Sequence, residues 1–334
     1  MTGHLLPPDR QDEQWSFRHA ALSGVVAVVV IGVLVVFPPQ RLLGSVFGVS
    51  DPPPVAARPE AFGASGDVRL QLKLPGQTFA LPLSLADASR AATYQWVSAV
   101  DSGALAPPGA FHGDSVQAPL RPGFYHMAVT SEGRRAIVND VVLAVMVPFN
   151  EKIGASLNGY RIGTYRAERA RGEVSRPPPG FVEVWEEDAD LWLSNHLQVA
   201  DFITHDDQMQ WPRYVALDPR ILDKVELVLD HLGARHRVMT VDVHSGFRTP
   251  LHNRRVPRAA SDSRHQYGDA VDLAVDADGD GRVSYFDILA IARAVDMVEA
   301  EHPDLVGGMG VYGNHGNNPY VHIDVRGERK RWRG

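Results

Sequence analysis

The chain has 334 residues, 44% of them hydrophobic and 22% charged, with a net charge of −7 and no cysteine. These proportions suit about two folded domains with additional segments, and the acidic balance gives no reason to expect a nucleic-acid partner. Disulfides and thiolate metal sites are excluded, so any bound metal must be held by histidine and carboxylate groups.

From Ala20 to Phe37 there is no charged residue, and Val25 to Ile31 is dense in β-branched side chains. Eighteen residues at helical rise span about 27 Å, close to the thickness of a bilayer core. Pro38-Pro39-Gln40-Arg41 follows in place of a small-residue cleavage site, which favours a retained anchor over a removed signal peptide. Arg10 and Arg18 precede the run, a weak bias for a cytoplasmic N-terminus. The expectation is a cytoplasmic segment 1–19, a transmembrane helix 20–37 and a stiff Pro-rich linker 38–62, with the bulk of the chain outside.

Residues 63–150 alternate with the period of strands. Val68, Leu70, Leu72 and Leu74, then Phe79, Leu81 and Leu83, flank Pro75-Gly76 and predict a hairpin. Gly123 to Val129 and Ala136 to Val147 predict two more strands around a turn at Ser131-Glu132-Gly133. A small β-sandwich-like domain fits. Residues 151–216 read as a connecting segment that holds Trp185, Trp192 and Trp211, most simply as packing residues.

Residues 217–334 read as an α+β domain. Asp218-Pro219 is an N-cap followed by proline at the first helical position. Ile221, Leu222, Val225, Val228, Leu229 and Leu232 then mark one helical face, closed by Gly233. Strands are predicted at Val238 to Val243, Ala270 to Val275 and Tyr320 to Val325, and a helix from Tyr285 to Ala300. The basic stretch Arg326 to Arg333 reads as a solvated tail.

Alternation along these strands sorts the polar residues. Val271, Leu273 and Val275 share one face, and Asp272 points the other way between Ala270 and Ala274, whose small side chains leave room for an ion. His322 and Asp324 likewise share the face opposite Val321, Ile323 and Val325. A lone histidine among 14 is more often a surface residue, so the signal lies in the set. His265, Asp272 and His322 form a ligand trio for zinc of the kind that leaves a fourth position open, where a metal activates water and polarises a carbonyl. Asp324 is the nearest residue for the general base. Arg248, in the loop before the trio, suits a bidentate grip on a substrate carboxylate.

Ser263-x-His265-x-x-Gly268-x-Ala270-x-Asp272 resembles the signature of the zinc D-alanyl-D-alanine peptidases, a group that includes vancomycin-resistance dipeptidases, phage endolysin peptidases and the zinc domain of hedgehog proteins. Ser245 to Pro250 resembles the arginine-bearing segment that precedes it there. Val321 to Gly327 with Arg331-Trp332 is similar to the ending of the murein endopeptidase branch. The resemblance spans about 215–334. It implies a hedgehog/D,D-peptidase-like zinc domain acting on peptidoglycan peptide stems, with Ser263 and Arg248 at the substrate. The location implied is the periplasmic face of a bacterial inner membrane.

Two departures from that pattern stand out. Where relatives carry a glutamate three residues before the last histidine ligand, this chain has Pro319, so Asp324 is the first choice of base, with His244 and Asp242 in reserve. In relatives ending His-x-His the second histidine binds the metal, an alignment that would make Asp324 the ligand and His322 its catalytic partner. The missing glutamate also leaves open a different class of function, a zinc-dependent cell-wall peptide binder or scaffold without turnover.

Asp276, Asp278, Asp280 and Asp287 fall at positions 1, 3, 5 and 12 of a loop with Gly281 at position 6, the spacing of an EF-hand calcium loop (276–287) in which Arg282 supplies a backbone carbonyl. No clear helix precedes it, so the loop resembles a dockerin half-site. Calcium here is expected to be structural.

Overall fold

The computed structural model describes residues 55–57 and 63–334, apart from 81–82, 86–91, 104–107, 111–114, 132, 170–175, 235–238 and 314–317. The segments read as cytoplasmic (1–19) and membrane-spanning (20–37), and nearly all of the linker, lie outside the described residues. Among the described residues no helix is long and apolar enough to cross a membrane.

Seven strands form the first sheet: β1 (Leu70–Lys73), β2 (Thr93–Ser98), β3 (Gly109–Ala110), β4 (Gly123–Ser131), β5 (Arg134–Pro148), β6 (Gly180–Val184) and β7 (Arg213–Val215). They lie in the order β7-β6-β5-β4-β2-β3, with β1 also on β5. The sheet is organised by β5, whose run Val141 to Val147 is buried at every position, as expected of a strand covered on both faces. The predicted β4–β5 hairpin forms, closing at Ser131 opposite Arg134 with Gly133 at φ +75°.

The other predicted hairpin does not form. Its turn is present, with Gln77 N–H donating to Leu74 O at 3.1 Å, but the flanking strands separate. Leu70 runs parallel to β5 opposite Val142, and Thr78–Ala80 pairs antiparallel with Ser115–Gln117. Alternation names the buried face of a strand and leaves its partner open, and here β5 supplies the more deeply buried slot. The stretch read as a connector contributes β6 and β7 to the same sheet. Trp185 and Trp192 are about half exposed, at 45% and 48%, so neither is the packing residue expected. Trp211 packs against the core.

The second sheet holds β8 (Val241–Ser245), β9 (Ala270–Val275), β10 (Gly308–Tyr312), β11 (Tyr320–Asp324) and β12 (Lys330–Arg333), in the order β8-β9-β11-β10-β12. All neighbours are antiparallel except β10 and β12. Lys330–Arg333 is thus an edge strand and the solvated-tail reading fails there. Arg331 anchors it, donating from Nη1 to Gly307 O at 2.9 Å and from Nη2 to Asp296 at 2.8 Å and to Glu299. Helix α1 (Pro219–His231) packs on α2 (Tyr285–Glu301), and α2 packs on the sheet.

Helix α1 starts where the sequence places it. Asp218 Oδ1 accepts the Arg220 N–H at 3.0 Å, and Gly233, at φ +94°, ends the turn beyond. The apolar face is buried as predicted, but so are Asp223, Lys224 and Glu226. Asp223 accepts hydrogen bonds from Ala64 N (2.9 Å), Ser65 N (2.9 Å) and Ser65 Oγ (2.6 Å). Glu226 accepts from His196 N at 2.9 Å and meets its Nδ1 at 2.7 Å. Lys224 Nζ donates to Glu299 Oε1 at 2.7 Å and to Asp324 O at 2.8 Å. Each buried charge therefore has the partner that burial demands, and these partners tie α1 to the chain before β1 and to β11.

Candidate metal centre

The face of the second sheet turned away from α2 carries the site. Register sets Asp272 opposite His322 and His322 opposite Gly310, which in turn faces Trp332. His265 comes from the 3₁₀ turn Arg264–Tyr267 just before β9. That turn ends at Gly268 with φ +72°, where a Cβ would lie 2.0 Å from Ala216 O. Only glycine fits so close to another backbone, and the turn brings His265 back over Asp272 as the sequence predicted.

His265, Asp272 and His322 are all buried, and each offers a ligand atom in one cluster. His265 Nε2 lies 3.1 Å from Asp272 Oδ1 and 3.0 Å from His322 Nδ1, which is itself 2.9 Å from Asp272 Oδ1. The remaining ring nitrogens are engaged: His265 Nδ1 meets Gly246 O at 2.6 Å, and His322 Nε2 meets Asp324 Oδ2 at 3.2 Å. Those acceptors place the ring protons on the outer nitrogens. The inner nitrogens then point lone pairs at one another and at a carboxylate oxygen, a repulsive arrangement that a cation relieves. A triangle of these sides has a point about 2 Å from all three corners, the length of zinc bonds to nitrogen and oxygen. The residues fit zinc.

The two imidazoles shift in opposite directions without a cation, His322 being raised against burial by the carboxylates of Asp272 and Asp324 on either side of it. Burial holds His265 below the ordinary imidazole value, favouring the neutral ligand form.

Asp324 is not placed as a base. It is fully buried, and its oxygens take His322 Nε2, Gly308 N (2.8 Å), Arg326 N (3.1 Å) and the Arg326 guanidinium. Burial pushes its carboxyl up, yet the bonds from His322 and Arg326 hold it well below the ordinary range. A carboxylate so committed and so weakly basic is a poor proton acceptor. It sits on the edge of the His322 ring remote from Asp272, where it orients the imidazole as a carboxylate–histidine–metal arrangement requires. The same geometry puts His322, and not Asp324, in the trio.

Arg248 also differs from expectation. Its N–H donates to His265 O at 3.1 Å, its Nε to Ser245 Oγ at 2.7 Å, and its Nη2 to Asp272 Oδ2. The guanidinium thus fixes the oxygen of Asp272 that the histidines leave. Ser263 opens the His265 turn through its backbone, and its hydroxyl makes no capping bond.

Three aromatic residues missing from the expected site border it. The Trp332 ring centroid is 5.3 Å from that of His322, and Trp332 Nε1 donates to Tyr312 Oη at 2.9 Å. Tyr312 stacks on Tyr320 at 4.6 Å. Space for the indole comes from Gly310, where a Cβ would lie 2.2 Å from Trp332 Nε1. The signal in the sequence was Gly308-x-Gly310, two glycines on one face of a strand.

In the acidic loop, Asp276, Asp278 and Asp287 bring oxygens together, and Asp280 lies outside that group. Asp280 Oδ1 instead takes the Arg282 N–H at 2.8 Å. Asp287 is buried, with Oδ1 accepting from Ala277 N (2.8 Å) and Asp278 N (3.2 Å) and Oδ2 from Ser284 N and Oγ (both 2.7 Å). It closes the capping box of α2.

Residues 195–324 match the model of the family Peptidase M15, which bears out the resemblance to the zinc D-alanyl-D-alanine peptidases over that stretch. Among solved structures, the Serratia marcescens L-Ala D-Glu endopeptidase ChiX aligns at 25% identity, covering 33% of this chain and 83% of that one with a TM-score of 0.25. No curated protein sequence matches.

Proposed function

We propose that this protein is a zinc-dependent peptidase that hydrolyses peptide bonds in the stems of peptidoglycan. The observation that carries the reading is the buried trio His265, Asp272 and His322, whose ligand atoms converge within 4.8 Å in a stretch matching a peptidase family. Zinc held by these residues would activate water at neutral pH and polarise the scissile carbonyl. Gly246 O and Asp324 keep the two imidazoles in the ligand tautomer, and Arg248 steadies Asp272. With Nε on Ser245 and Nη2 on Asp272, and no partner of Nη1 among the described residues, Arg248 keeps Nη1 for a substrate carboxylate. The location proposed is the bacterial inner membrane, through the apolar run 20–37, with this domain on the periplasmic side. Calcium in the 276–287 loop is proposed as a structural ion at the start of α2.

The test is incubation of the purified protein with muropeptides, with and without a chelator. Chelator-sensitive cleavage supports the peptidase. A protein that retains one zinc per chain and yields no product over long incubation is the binder or scaffold instead.

A further inference from the structure

With Asp324 committed to His322 and Arg326, and Pro319 where relatives carry glutamate, the reaction proposed above needs another proton acceptor. Strand β8 supplies one through a defect in its pairing. Val243 lies opposite Leu273 and Ser245 opposite Asp272, so the register shifts and His244 is the extra residue of a bulge. Bulges re-aim side chains and recur beside active sites.

The neighbouring cross-strand row shows where His244 goes. Asp242 lies opposite Ala274, and Tyr320 follows one position beyond the Leu273–Val321 pair. The His244 ring lies edge-on to Tyr320 with centroids 5.5 Å apart, and its Nε2 lies 3.1 Å from Asp242 Oδ2. Among the described residues Nδ1 has no hydrogen-bond partner. The side chain is 23% exposed, so the ring stays reachable from solvent.

We propose that His244, oriented by Asp242, is the catalytic acid–base group of this site, an assignment that rests on the peptidase reading. As the water oxygen bonds to the carbonyl carbon, its O–H bond breaks and the proton passes to His244 Nδ1. When the C–N bond breaks, that proton goes to the leaving amine nitrogen, so the histidine returns to its starting form and no other reactant is consumed. The ion pair with Asp242 lifts the His244 imidazole above its ordinary value, with burial opposing and the Asp272 charge adding. Tyr320, the other titratable group against the ring, is pushed up to about 12 by burial and by Asp272, and stays protonated at neutral pH. His205 also interacts electrostatically with Asp242.

The experiment uses the zinc-loaded full chain and muropeptides. His244→Ala and His244→Gln should lower kcat by about 10²- to 10⁴-fold with KM and zinc content unchanged, and added imidazole should restore part of the His244→Ala rate. In the zinc-free chain, NMR titration of the imidazoles should show His244 ionising above the ordinary range and moving down in Asp242→Asn. Variants within twofold of wild type, or a His244 titration unmoved by Asp242→Asn, would overturn the assignment while leaving the peptidase intact. A zinc-bearing wild type that cuts no muropeptide removes both.

Discussion

The Nε2 atom of His322 lies 3.2 Å from Asp324 Oδ2, while Nδ1 of the same ring is 2.9 Å from Asp272 Oδ1. One imidazole is held between a carboxylate that shares its ligand site and a carboxylate that sets its tautomer. Removing the second should therefore weaken metal binding without removing a ligand. Asp324→Asn is expected to raise the zinc Kd about 10- to 100-fold, measured by competition with a chromophoric chelator. Unchanged affinity would show that Asp324 does not orient the ring.

The same carboxylate has a consequence for acid stability. Its folded value lies below the ordinary one, so the folded state binds fewer protons than the unfolded chain as pH falls below about 4. The stability it contributes is fully present above the unfolded value and is lost as pH drops toward the folded one. Urea unfolding of the metal-free protein between pH 2.5 and 7 should show a shallower acid decline in Asp324→Asn than in wild type.

Gly310 has no space for a side chain. A methyl group there would meet Trp332 Nε1 at 2.2 Å, so Gly310→Ala must displace the indole from His322. The expected cost is about 1–3 kcal/mol, visible in thermal melts, with a red shift of tryptophan emission. A variant as stable as wild type would mean that the indole leaves its place freely.

Lys224 is wholly buried, and burial lowers its ammonium below the ordinary value against the pull of Glu299. Lys224→Met leaves Glu299 with Arg331 and removes the donor to Asp324 O. Losing one partner of a buried pair costs about 3–5 kcal/mol, which chemical denaturation would detect.

For the acidic loop, calcium should raise the melting temperature of the wild type and leave that of an Asp276→Asn, Asp280→Asn variant unmoved. A wild type indifferent to calcium would reduce the loop to a capped turn closed by Asp287.

Much of this was legible because burial leaves a period. Alternation in Ala270 to Val275 and Tyr320 to Val325 placed Asp272 and His322 on one face, and the Asp218-Pro219 start with the Ile221 to Leu229 face defined α1. What escaped depends on partners distant in the chain. Asp223, Lys224 and Glu226 occupy positions that a helical pattern assigns to solvent, and partners far off in the chain, among them Ser65, Glu299 and His196, explain their burial. Asp324 shares the face of His322, yet its role turns on which edge of the ring it meets, and Arg326 decides that. The strand Lys330–Arg333 carries no apolar alternation, since one face rests on glycines and the other pairs Arg331 with Glu299 and Asp296.

That strand closes one border of its sheet with Lys330, Arg331 and Arg333 around a single indole. A bare border offers its backbone to any passing β-segment and invites polymerisation. This strand is only four residues long and exposes Lys330 and Arg333 at its ends, features that guard an edge against such pairing. The residues that deliver Trp332 to the candidate metal centre thus also form the guarded border of the sheet.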